Sequence, residues 1–182
     1  MARLVTFLGS INVGGNRIKM VDLVTALTDA GFRDVSTVAA SGNVILTDDR
    51  DPSMLEIQLE SVVEQTFGFK SCAMVRTQDE IRYAIDENPF HGTGPRYGSD
   101  KMVHSIFLSQ QPDKSAVDAL IEEHRSKGSE RLALGDRVLF LDYVHGVGVS
   151  SLSNKVLERR LGCKGTARNM ISLKRILDKM VA

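Results

Sequence analysis

An α+β fold of two successive units is predicted by three observations on this chain. Short apolar strands alternate with amphipathic helices, clusters of Gly, Pro and Asn mark the junctions, and the order of elements starts afresh after a Gly- and Pro-rich stretch, Asn88 to Asp100. Arg3 to Ser10 reads as the first strand, and a helix follows with Met20, Leu23, Val24 and Leu27 on one face and Gly31 as its stop. A second strand runs from about Asp34 to Ala40, Ser41-Gly42-Asn43 turns the chain, and Val44-Ile45-Leu46-Thr47 makes the third. Asp51-Pro52 opens a helix whose inward face is Leu55, Leu59, Val62, Val63 and Phe67, and Lys70 to Val75 is the fourth strand.

The order βαββαβ is that of the ferredoxin-like unit, or α/β plait, an antiparallel sheet with both helices on one face. Thr77-Gln78-Asp79-Glu80 is a capping box that starts a further short helix. The second half begins with a strand from Met102 to Leu108, a helix capped by Asp113, and two strands around Arg131–Leu134 and Arg137–Tyr143. Ser151 is placed to cap a helix that Gly162 ends, and a last helix is expected over Ala167 to Met180, so this half reads βαββαα. The expected architecture is α+β, two tandem ferredoxin-like subdomains plus a C-terminal helix. The first plait with its extra helix spans residues 1–87, a linker or functional loop spans 88–101, and a plait-like βαββα subdomain with the C-terminal helix spans 102–182.

Lys plus Arg number 23 and Asp plus Glu number 23, so the molecule has no net field to draw it toward nucleic acid or an anionic membrane. The third strand carries no aromatic pattern of an RNA recognition motif, and Trp is absent. No apolar run spans a bilayer, and the first residues lack the pattern of a signal peptide, so a cytoplasmic protein is expected. Cys72 and Cys163 form no CxxC and fit free thiols in a reducing compartment. His91, His104, His124 and His145 lack metal-ligand spacing, no cofactor fingerprint is present, and no nucleophile motif appears. No metal, cofactor or catalytic residue is therefore assigned.

The stretch from Phe7 to Met20 is a glycine-rich polar loop leaving a strand and entering a helix. Such a junction turns backbone N–H groups and the positive helix end toward whatever occupies it. Asn12, Gly14, Gly15, Asn16 and Lys19 are its candidate ligand-binding residues; the alternative is that the glycines only shape a tight connection and the amides only cap the helix. Ser41 and Asn43 join the candidates if their turn lies beside this loop, and serve as a plain hairpin turn if it does not. Arg168 and Asn169 complete the set: an Arg at the positive end of a helix asks for an anionic neighbour, either a protein carboxylate or a bound ligand.

Four segments carry a family resemblance: Gly9-Ser10-Ile11-Asn12-Val13-Gly14-Gly15-Asn16 with Met20 and Leu23, Ser41-Gly42-Asn43-Val44, Asn88-Pro89-Phe90, and Gly146-Val147-Gly148-Val149-Ser150 leading to Thr166-Ala167-Arg168-Asn169. In these the chain resembles a bacterial family known as domain of unknown function 1697. The resemblance implies two ferredoxin-like subdomains and supplies no reaction, substrate or cofactor. The chain departs from the family at Ser10, where Arg is usual, and at Met170, where Trp usually follows the Arg-Asn pair. The functional expectation is a small anionic ligand, a nucleotide or phosphorylated metabolite, at the strand-one loop. Two other readings stay open: an enzyme using a cleft between the subdomains, and a non-catalytic module that forms homo-oligomers through a sheet edge or face.

Overall fold

β1 (Ala2–Leu8) lies between β3 (Asn43–Asp48) and β4 (Ala73–Thr77), antiparallel to both, and β2 (Arg33–Val38) pairs with the outer side of β3. The resulting order β2-β3-β1-β4 is that of the α/β plait. The computed structural model describes residues 1–182. Its two compact units are Met1–Ile81 with Arg175–Ala182, and Arg82–Lys174, and each contains one four-stranded sheet.

Within the first unit, Leu4, Leu8, Val44, Leu46, Ala73 and Val75 share one sheet face because strand side chains alternate. The helices α1 (Met20–Asp29) and α2 (Pro52–Phe67) cover that face with Leu23, Leu27, Leu55, Leu59 and Val63. Burial of each large aliphatic side chain contributes about 1.5–3 kcal/mol, which makes this layer the main source of the unit's stability. The helix boundaries follow local chemistry. The Asp51 carboxylate accepts a 2.9 Å bond from Ser53 N, Pro52 occupies the first turn, and Gly68 at φ 79° closes α2. Thr77 and Glu80 bond each other's backbone N–H reciprocally, at 2.8 and 3.2 Å, to begin α3 (Gln78–Asp86) as the capping box requires.

The second unit repeats the plan. β5 (Val103–Leu108) is central, β7 (Val138–Asp142) and β8 (Gly165–Asn169) flank it, and β6 (Arg131–Leu134) lies outside β7, in the order β6-β7-β5-β8. The helices α4 (Lys114–His124) and α5 (Asn154–Leu161) pack Val117, Leu120, Leu157 and Leu161 against Ile106, Leu108, Leu139 and Leu141. The βαββαα expectation therefore lacks one strand. Gly165–Asn169 has no large apolar side chain and so gives no period-two signal, while Thr166 and Asn169 resemble helix caps. It nevertheless pairs with β5 over five residues, from Leu108↔Gly165 to His104↔Asn169, and the last helix, α6 (Met170–Val181), begins after it. The cap of α5 is also Ser153, whose hydroxyl accepts from Val156 N, and not Ser151. No helix is long and apolar enough to cross a membrane.

Thr6 interrupts the apolar face of β1: its side chain is fully buried and its hydroxyl has no partner. An unpaired buried hydroxyl costs about 1–3 kcal/mol. Thr6→Val should therefore stabilise the protein by about 1 kcal/mol, seen as a higher urea midpoint at unchanged slope. A lower midpoint would show that the hydroxyl has an acceptor after all.

Candidate functional site

The loop from Gly9 to Lys19 is anchored at both ends before its tip is formed. Leu8 N donates to Gly42 O at 2.9 Å and Gly9 N to Cys72 O at 2.8 Å, which extends the sheet pairing past the end of β1. Ile11 and Ile18 bury their side chains in the core of the first unit. Between these anchors Asn12 acts as a clasp. Its Oδ1 accepts from Ile18 N at 2.9 Å, and its Nδ2 donates to Ile18 O at 3.2 Å and to Ala40 O at 2.8 Å. Its own backbone N–H donates to Asn16 O at 2.7 Å, and Asn16 N donates to Val13 O at 3.2 Å. Asn12 holds φ at 57°, a left-handed conformation that Asn tolerates better than most residues.

The strand-one loop and the β2–β3 turn therefore meet. Gly42 is the contact point, because a Cβ there would lie 2.7 Å from Leu8 O and 3.1 Å from Ile11. Asn43 is fully buried, and its Nδ2 donates to Val38 O and to Ser41 Oγ, both at 3.0 Å. Asn12, Ser41 and Asn43 thus shape the loop base.

The tip is different. Gly14 and Gly15 are exposed, hold φ at 61° and 97°, and have open space where a Cβ would project. Their glycine character answers a dihedral requirement and not a steric one. Neither N–H donates to a protein acceptor. Arg17 and Lys19 are exposed beside them, and neither is in a salt bridge. Lys19 occupies the N-cap of α1 without a side-chain cap, and Met20 and Val21 N–H groups also lack protein acceptors. Asp22 lies in the first turn and supplies part of the negative charge that a helix start favours.

Arg168 and Asn169 close β8, so Arg168 belongs to a strand and not to the first turn of a helix. The Arg168 Nη1 donates to Thr166 Oγ1 at 2.7 Å and to Ala167 O at 2.8 Å, and burial pulls its pKa down to about 10. Asn169 Oδ1 accepts from Ser172 N at 2.9 Å and caps α6. The register places Arg168 opposite Ser105 as it places Arg76 opposite Val5, so the two arginines are counterparts in the two plaits. Arg76 is 2% exposed, donates to Val75 O at 2.8 Å, and faces Glu80 at 3.7 Å and Glu56 at 4.0 Å. The spacing Arg-Thr before one helix and Arg-Asn before the other was the available sequence signal for this repeat.

The model of a family described as "Protein of unknown function (DUF1697)" matches residues 1–140. The solved structure of the conserved bacterial protein SP0830 from Streptococcus pneumoniae is similar in fold, with a TM-score of 0.69 at 21% identity over 100% of this chain and 99% of that one. No curated protein matches the chain.

The division between clasp and tip has measurable consequences. Asn12→Ala removes three side-chain bonds and should cost about 2 kcal/mol in urea denaturation. Gly15→Ala should cost about 1 kcal/mol, the penalty of a left-handed Ala with no clash. Equal costs would contradict the assignment of scaffold to Asn12 and exposure to Gly15.

Proposed function

Because the chain belongs to the DUF1697 family, whose description carries no activity, we propose a function from the loop itself: the protein binds a small anionic ligand, a nucleotide or phosphorylated metabolite, at the strand-one tip. The observation that carries this reading is the pair of adjacent left-handed glycines, whose N–H groups have no protein acceptor on a loop otherwise clamped by Asn12. Two consecutive amides held this way form a concavity suited to a phosphate oxygen. Arg17 and Lys19 supply charge, and the uncapped start of α1 supplies further donors. Asn16 is the side chain at the tip with no bond of its own, and it is available to a ligand hydroxyl or base. Asn12, Ser41 and Asn43 position the loop in this reading, and Arg168 and Asn169 are not required. The ligand pool is that of the cytoplasm.

Isothermal titration of the full chain across nucleotides and sugar phosphates should find at least one that releases or absorbs heat with saturation. Lys19→Ala should weaken that ligand about threefold to tenfold, and binding should fall as salt is raised. Absence of heat with every anion, or unchanged affinity in both Arg17→Ala and Lys19→Ala, would remove the reading.

A further inference from the structure

The second unit contains a buried polar relay that none of the foregoing uses. His124, at the end of α4, is 5% exposed, and its Nε2 lies 2.7 Å from Glu130 Oε2. The other carboxylate oxygen accepts from Ser150 Oγ, which in turn accepts from Leu152 N at 3.1 Å. Gly128 lies directly against the pair: a Cβ there would fall 2.3 Å from Glu130 Oε2 and 2.4 Å from His124 Nε2. A carboxylate on one ring nitrogen fixes both the orientation and the tautomer of an imidazole. The Nδ1 atom has no protein partner, and the ring lines a cavity of about 220 Å³ between α4 and α5.

The rest of that cavity combines an apolar wall, Leu120, Leu152 and Val156, with charged groups. Lys127, Arg159 and Arg160 line it, with Glu123 as the only carboxylate. Glu123 bridges Lys127 at 2.5 Å and Arg160 at 2.6 Å, while Arg159 has no carboxylate partner. Ser151 adds a hydroxyl to the lining. The volume lies below the roughly 300–1,000 Å³ of sites that enclose drug-sized ligands, so it fits one phosphoryl group with a short carbon chain.

We propose that this α4–α5 cavity is a binding site for a small phosphate monoester, held by Arg159 and by His124 Nδ1, with Glu130 orienting the ring from behind. Arg159 supplies a planar, permanently charged fork suited to phosphate oxygens. His124 meets the same group through a hydrogen bond, as donor to a dianion when protonated or as acceptor from a protonated phosphate oxygen. The site is distinct from the strand-one tip, with which it shares no residue.

The test is an NMR titration of the full chain with glycerol phosphate, following the ring signals of its four histidines, with inorganic sulfate as the comparison anion. The His124 signals should shift to saturation, with glycerol phosphate binding at least threefold more tightly than sulfate. Arg159→Gln, an exposed change that leaves the core untouched, should weaken the titration at least tenfold, and Lys19→Ala should leave it unchanged. Non-saturating shifts, an unchanged titration in Arg159→Gln, or equal affinity for sulfate and the ester would overturn the proposal. Loss of the His124 response in Lys19→Ala would overturn its independence from the strand-one tip.

Discussion

The structure depends most on how the central strand of each plait is tied, at its C-terminal end, to the turn that joins the next two strands. In the first unit Leu8 N bonds Gly42 O, and the Asn12 amide bonds Ala40 O. In the second, Leu108 N bonds Arg137 O at 2.9 Å, and the Gln111 amide takes both Gly135 O, at 3.3 Å, and Arg137 N, at 2.6 Å. A carboxamide is suited to this task because it offers donor and acceptor on one short rigid group. The residue beyond the last strand pair is left-handed in both units: Gly42 at 74° and Arg137 at 48°. Where the turn presses on the strand-one loop, only glycine fits. In the second unit an ordinary side chain accepts the strained dihedral.

A second recurring device protects the edge strands. β4 and β8 each pair on one side only, and an unpaired row of N–H groups is both costly and prone to wrong pairing. Glutamates of the neighbouring helix close that row. Ala73 N and Val75 N donate to Glu60 and Glu56 at 2.8 and 2.9 Å, and Gly165 N donates to Glu158 at 3.1 Å. The same edge strands carry two inward arginines, the buried Arg76 and the half-buried Arg168, each bonded to the carbonyl of the residue before it. Both plaits thus share their strand order, their clasp and their edge chemistry, although their sequences retain little beyond the arginine before the helix cap.

Legibility from sequence followed the strength of each local signal. Leu23, Leu27, Leu55, Leu59 and Val63 stand at helical spacing, so α1 and α2 were readable, and Thr77 with Glu80 announced α3. β8 was hidden because its residues, Gly-Thr-Ala-Arg-Asn, include no large apolar side chain and only Thr166 is buried, so no apolar periodicity marks it. For the same reason Arg168 looked like a cation at a helix start. In the candidate loop, composition marked the right segment but could not divide its labour. Asn12 and Asn16 are equivalent on paper, yet only Asn12 faces Ile18 and Ala40. That distinction arises from a contact spanning 28 residues, which spacing along the chain does not encode. The His124–Glu130–Ser150 relay was invisible for the same reason, since its members are scattered over a helix end and two loops.

Rigid base and open tip together explain why the loop tolerates so many left-handed residues. Ser10, Asn12, Gly14 and Gly15 all have φ between 57° and 97°, a conformation that costs free energy at the two non-glycine positions and persists only where the surroundings hold it. The restraint comes from the two buried isoleucines and from the Asn12 amide, all of which act on residues flanking the glycines. Ordering entropy of the loop is therefore lost when the chain folds. The amides of Gly14 and Gly15 donate to no protein acceptor, on a loop whose flanking residues are already held in place. Had the glycines themselves carried the anchoring bonds, their amides would be consumed within the loop; because Asn12 does the anchoring, the amides of the two left-handed glycines are left without a protein acceptor.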